Sequence, residues 1–155
     1  MKQKVGRGAT KGMALQELIL ETITTFFQLR TYGKQLGAVT PWGGGYWGLL
    51  RMMKLQGPMT VPQVARMRGH TRQRIQKLAD EMVADGVIEF FDNPAHQRSK
   101  LMRLTRKGVA VYEQLSARIA ALADKLAVEM DESEIQSAVT TLRKLQQKLA
   151  SQRPA

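Results

Sequence analysis

Between Arg66 and Lys77 the sequence reads RMRGHTRQRIQK, which places five cations and no acid in one short stretch. Its second half carries an apolar set, Ile75, Leu78, Ala79, Met82 and Val83, at the i, i+3, i+4, i+7, i+8 spacing of a helix with one buried stripe. Arg72, Gln73, Gln76 and Lys77 fall off that stripe, with Arg74 beside them, so the opposite face is a row of hydrogen-bond donors. The planar forks of Arg and Gln match the edges of guanine and adenine in a major groove, whereas Lys and further Arg residues suit phosphates. The plainer alternative is an amphipathic helix with a solvated basic face.

A second chemically suggestive stretch is EFFDNPAHQRSKLMRL, from Glu89 to Leu104. Two strand-like runs, at about 87–91 and 99–104, flank a polar insert that begins with the turn starters Asn93 and Pro94 and carries the cations Arg98 and Lys100, with Ser99 between them. A simple hairpin needs only about two turn residues. A longer cationic insert makes sense if it reaches past the body of the domain into a neighbouring groove, where a narrow minor groove favours arginine.

Other chemistries find little support. There are no cysteines and only two histidines, His70 and His96, which removes thiol chemistry and makes a dedicated metal centre an unpromising reading. No paired carboxylates share an apolar face, and no nucleophile has a base at recognisable spacing, so catalysis is not expected and no cofactor is implied. The glycine run in TPWGGGYW is followed by Tyr46 and Trp47 rather than the Lys and Ser or Thr of a phosphate-cradling loop.

The elements that must position the two stretches follow from local signals. Residues 1–12 form a glycine-rich basic arm. From Met13 the stripe Leu15, Leu18, Ile19, Ile23, Phe26 and Phe27 predicts a first helix, weakened and ended by Gly33 and Gly37. Thr40 and Pro41 open a second helix that Gly57 and Pro58 close. Thr60 and Gln63 form a capping box for a short third helix with Val61, Val64 and Ala65 inward, ending at Arg68 and Gly69. Thr71 caps the fourth helix, and Gly86 with Val87 is placed to end it in a left-handed turn. Two helices joined by a glycine-bearing turn make a helix-turn-helix, and a hairpin directly after it makes a wing. Thr105 and Asp131 then cap two long helices bearing Leu115, Ile119, Leu122 and Leu126, and Ile135, Val139, Leu142, Leu145 and Leu149. These stripes exceed what one small core can cover, which points to a helical dimer interface shared with the first helix; intramolecular packing on that helix is the alternative.

The net charge of +11 lies in the first two thirds of the chain, since residues 109–155 balance to zero. A pI near 10.4 favours polyanionic partners. No apolar run of about 18 residues is present to span a bilayer, and no signal peptide is evident, so a cytoplasmic location and no membrane partner are expected.

From about residue 13 onward, the order of elements resembles the MarR family of bacterial transcriptional regulators. The likeness is strongest in GPMTVPQVARMRGHTRQRIQKLADEMVADGVIEF and NPAHQRSKLMRLTRKG, where the wing, the Leu-Thr pair and the following glycine keep the family's order and spacing. The resemblance implies a mainly α fold with a small antiparallel β-hairpin, a winged helix-turn-helix flanked by N- and C-terminal dimerisation helices. The expected divisions are 1–12, 13–37, 38–108 and 109–155. It further implies a homodimer on a palindromic double-stranded DNA operator, the fourth helix in the major groove and a wing arginine in the minor groove. A repressor released by a small aromatic ligand is the expected regulation. Carried over by position, Arg72 and Gln73 face bases; Arg74, Gln76 and Lys77 lie near the backbone; Arg98 is the wing arginine. Thr71, Ser99 and Lys100 complete the expected DNA-binding set. His96 stands where many members of the family have an aspartate orienting that arginine, and an imidazole cannot hold a guanidinium in the same way. Trp42 and Tyr46 are candidate ligand-lining aromatics, with ordinary core packing as the alternative. The competing functional class is an architectural DNA-binding protein without sequence preference or effector.

Overall fold

In a computed structural model of the protein, residues 10–35, 45–96 and 98–152 are described. Along them run α1 (Lys11–Gln35), α2 (Tyr46–Gln56), β1 (Met59–Thr60), α3 (Val61–Arg68), α4 (Arg72–Ala84), β2 (Ile88–Phe91), β3 (Leu101–Leu104), α5 (Arg106–Ala127) and α6 (Glu132–Ser151). The chain divides into two compact units, the first ending at Ser116 and the second beginning at Ala117, with α5 running through the division.

The core of the first unit is built by α2, α3, α4 and the sheet. Leu49, Leu50, Val64, Ile75, Met82, Val87, Ile88 and Met102 are fully buried, and α5 adds Leu115. The predicted inward residues of α3 are all buried, as are Ile75, Leu78, Ala79 and Met82 of α4. Val83 is not: it is 40% exposed, because the fifth position of the apolar stripe falls at the rim of the face that the sheet and α3 cover.

The sheet has three strands rather than the two of the expected hairpin, in the order β1-β3-β2 and antiparallel throughout. Met59 faces Met102 and Thr60 faces Leu101, while Ile88 faces Leu104 and Phe90 faces Met102. Two residues are too few to show the alternation that marks a strand in sequence. Thr60 serves twice, ending β1 and capping α3. Its hydroxyl oxygen accepts from the Gln63 amide at 3.3 Å, and its own amide donates to the Gln63 side chain at 2.8 Å, completing the capping box. The hairpin strands are also shorter than expected, since the insert ordered by Asn93 takes residues 99–100 out of the ladder. The N-cap of α2 is Gly45, not Thr40, and α1 runs through Gly33 to Gln35, just short of the expected end near Gly37. Thr40 and Pro41 lie outside the described residues.

The corner between α4, β2 and α5 is the tightest place in the fold. Gly86 adopts φ 70°, which a residue with a Cβ enters only at a steric cost, and this lets the Gly86 and Val87 amides donate to the Val83 and Met82 carbonyls at 2.8 and 3.0 Å. The Val87 carbonyl then accepts from the Thr105 amide at 3.1 Å. The Thr105 hydroxyl donates to the Gly86 carbonyl at 2.7 Å and accepts from the Gly108 amide at 3.0 Å, capping α5 as expected. Lys107 donates to the Asp85 carbonyl at 2.6 Å, a cation at the C-terminus of α4. A Cβ on Gly108 would lie 1.9 Å from the Val87 oxygen, so α5 starts in direct contact with the backbone of β2's approach.

In α1 no residue is buried, and Leu15, Ile19, Ile23, Phe26 and Phe27 are all exposed. In the second unit Asp131 caps α6 by accepting from the Ser133 and Glu134 amides at 2.8 and 3.1 Å. These bonds, led by that from the Ser133 side chain, hold its carboxyl below the usual carboxylate range. Ile119, Leu122, Ile135, Val139, Leu142 and Leu145 are partly buried, and Leu126 and Leu149 are exposed.

Gly108→Ala is expected to lower the urea midpoint by an amount equal to about 1–3 kcal/mol or more, because the obstacle is backbone and cannot rotate away. Lys107→Ala, which removes only a surface cation at a helix end, should cost below ~1 kcal/mol in the same titration.

Candidate nucleic-acid interface

The interface is built on α4 and the β2-β3 hairpin. Burying Ile75, Leu78, Ala79 and Met82 turns Arg72, Gln73, Arg74, Gln76 and Lys77 outward, and all five are exposed. Thr71 begins the helix, its hydroxyl oxygen accepting from the Arg74 amide at 3.2 Å. Its place is therefore fixed by a helix-capping role as well as by its position beside the donors.

The connection between the hairpin strands is organised at both ends. At the tip, the Asn93 side-chain oxygen accepts from the Ala95 amide at 3.1 Å. The His96 amide donates to the Asn93 carbonyl, and the Ser99 amide to the His96 carbonyl, each at 3.1 Å. At the base, Glu89 and Arg103 are directly opposed across the strands and form an ion pair at 2.7 Å. The Arg103 guanidinium also lies 4.8 Å from the centre of the Phe91 ring. Both charges of that pair are about half exposed, so its strength is that of an ordinary surface pair, ~0.2–1 kcal/mol. The His96 side chain is exposed; the residue contributes to the turn through its backbone.

Between α4 and the hairpin runs a trough of about 680 Å³. Arg72, Gln73, Gln76 and Lys77 form one wall and Arg98, Ser99 and Lys100 the other, over a floor that includes Pro62 and Phe90. An adjoining hollow of about 580 Å³ shares Pro62, Arg72, Arg98 and Ser99 and adds Arg66 and His96. The structure thus brings seven of the nine sequence-predicted residues onto one concave cationic surface. Thr71 and Arg74 stand at the head of α4 outside the trough's lining.

Three residues were not singled out for these positions from sequence. Arg66 belongs to the five-cation run and faces the adjoining hollow. Arg68, from the same run, turns the other way: it is partly buried, donates to the Gly45 carbonyl at 3.3 Å, and has its pKa pulled down by burial. A Cβ at Gly48 would stand 3.0–3.1 Å from its guanidinium nitrogens, which gives the glycine-rich start of α2 a packing reason. Asp80 also lines the trough, accepting from the Gln76 side-chain nitrogen at 2.8 Å. An acid four residues after a glutamine is visible in sequence, but only the fold turns both toward the trough.

Of the candidate ligand-lining aromatics, Trp42 lies outside the described residues. Tyr46 packs in the core, and its hydroxyl donates to Asp85 at 3.2 Å. Burial first, and then the Asp85 carboxylate, push the phenol's pKa well above its ordinary value. Trp47 donates its indole N–H to the Ser116 hydroxyl at 2.8 Å. Among the described residues, no group of three or more His, Asp or Glu is arranged to hold a metal ion, and no helix is long and apolar enough to cross a membrane.

A fold of this kind has solved counterparts. A mutant MarR from E. coli complexed with operator DNA superimposes with a TM-score of 0.70 at 18% identity, covering 90% of this chain and 99% of that one. A MarR protein from Peptoclostridium difficile gives 0.70 at 12% identity over 97% and 96%. In sequence, the protein Rv2011c of Mycobacterium tuberculosis is 30% identical over 144 residues, spanning 90% of this chain and all of that one. Residues 39–99, which contain α2 through the hairpin insert, match the family model for the MarR family. The chain belongs to the MarR family. MarR-family proteins are transcription regulators and not enzymes, and this chain carries their winged helix-turn-helix DNA-binding fold.

Thr71→Ala should cost ~1 kcal/mol in equilibrium unfolding through loss of the α4 cap. Thr71→Asn, which retains a capping oxygen, should recover most of it.

Proposed function

We propose that this MarR-family protein is a sequence-specific repressor that binds a palindromic operator as a homodimer. The observation that carries the reading is the trough, where the exposed donors of α4 and the cations of the hairpin insert line a single concave surface. In this reading α4 enters the major groove, Arg72 and Gln73 contact base edges, and Arg74, Gln76 and Lys77 lie along the backbone. Arg98 enters the flanking minor groove, with Ser99 and Lys100 on adjacent phosphates. The operator complex of the E. coli protein supports the assignment of DNA as the partner.

Dimerisation is supported by α1, whose Leu15, Ile19, Ile23, Phe26 and Phe27 are exposed together, more apolar surface than a helix keeps in water without a partner. With the C-terminal helices this would give a twofold assembly, and a twofold assembly selects a palindrome. Release by a small aromatic ligand and action in the cytoplasm belong to the same proposal and draw on the family alone.

Binding to a selected operator and to a random duplex, followed by fluorescence anisotropy, tests these roles. Arg72→Ala and Gln73→Ala should each lose ~1–3 kcal/mol of discrimination, while Lys77→Ala should weaken both duplexes about equally. Between 50 and 200 mM salt the affinity should fall on the order of 10³-fold or more. Equal effects of all three substitutions on both duplexes would contradict the roles given to α4.

A further inference from the structure

Asp80 is out of place by charge. Among the described residues lining the trough it is the only acid, set among four cations and two glutamines on a surface that otherwise attracts phosphate. It is exposed, so nothing in the core requires it, and it sits one turn beyond Gln76 on the same face of α4. Its carboxylate, an acceptor only when ionised, accepts from the Gln76 side-chain nitrogen at 2.8 Å. A glutamine amide alone is ambivalent, offering a donor or an acceptor by turning over. With its nitrogen held by Asp80, the amide presents its oxygen away from Asp80.

We infer that Asp80 is a specificity-determining residue, which fixes Gln76 as an acceptor and selects a base with an amino group in the major groove at one position of each half-site. The inference rests on the DNA-binding reading above, within which it moves Gln76 from the phosphate backbone to a base edge. Two acceptors, the Gln76 oxygen and the remaining carboxylate oxygen, then face the same part of the major groove. Adenine N6 or cytosine N4 satisfies them, whereas guanine O6 or thymine O4 sets acceptor against acceptor. The same negative charge penalises every register in which a phosphate approaches the wall of the trough. Asp80 therefore weakens random binding while leaving the matched site compensated, which widens the gap between the two.

Selection from a randomised duplex pool with sequencing, run on the wild type, Asp80→Ala and Asp80→Asn, tests this, with circular dichroism melts to confirm that each variant folds. The wild type should enrich a motif in which one position per half-site is confined to adenine or cytosine on one strand. In Asp80→Ala that preference should fall roughly tenfold, and affinity for random duplex should rise several-fold at low salt. Asp80→Asn, able to donate as well as accept, should admit guanine or thymine at the same position. An unchanged base preference in Asp80→Ala, with the motif otherwise intact, would overturn the inference and leave the DNA-binding reading standing. A wild type that enriches no motif would overturn both.

Discussion

The contact on which the interface depends is not at the interface. It is the approach of Gly108 to the Val87 carbonyl, where a side chain of even one carbon would collide at 1.9 Å. The same carbonyl accepts from Thr105, and Thr105 reaches back to Gly86, so three successive elements meet over a few backbone atoms. α4 ends there, the hairpin leaves from there, and α5 begins there. Because each partner is backbone or a capped side chain, the direction of the hairpin relative to α4 has little freedom. The width of the trough follows from that corner.

The hairpin keeps its form without an acid two residues before Arg98, where His96 stands. Asn93 folds the tip by accepting a neighbouring amide, and His96 lends both its amide and its carbonyl to the turn. Arg103 ties the strands at the base through Glu89 and the face of Phe91. The form of the turn comes from backbone geometry, the Asn93 side chain and one cross-strand pair. The cations divide in a similar way: Arg66 faces the cationic surface, whereas Arg68, two residues later, is drawn into the glycine-rich start of α2.

Much of this was legible in sequence because it is written in short-range chemistry. The Thr60-Gln63 box, the Thr71, Thr105 and Asp131 caps and the Gly86 stop each depend on residues within a few positions of one another. The face of α4 was legible because its buried stripe leaves only one way for Arg72, Gln73, Gln76 and Lys77 to point. What escaped depends on distant partners. β1 is a strand only because β3 passes beside it, and the start of α2 is set by Gly45 against Arg68, 23 residues away. Asp80 reads in sequence as one more surface acid; its meaning appears only when the hairpin closes the far wall of the trough.

The central claim is that the trough reads DNA in a twofold arrangement. Selection of bound fragments from genomic DNA, followed by hydroxyl-radical footprinting of the enriched fragment, tests it most directly. The account predicts two symmetric protected half-sites, their centres about one helical turn or a whole number of turns apart, with minor-groove protection on their outer flanks. Uniform protection of any fragment, or enrichment of none, would contradict it.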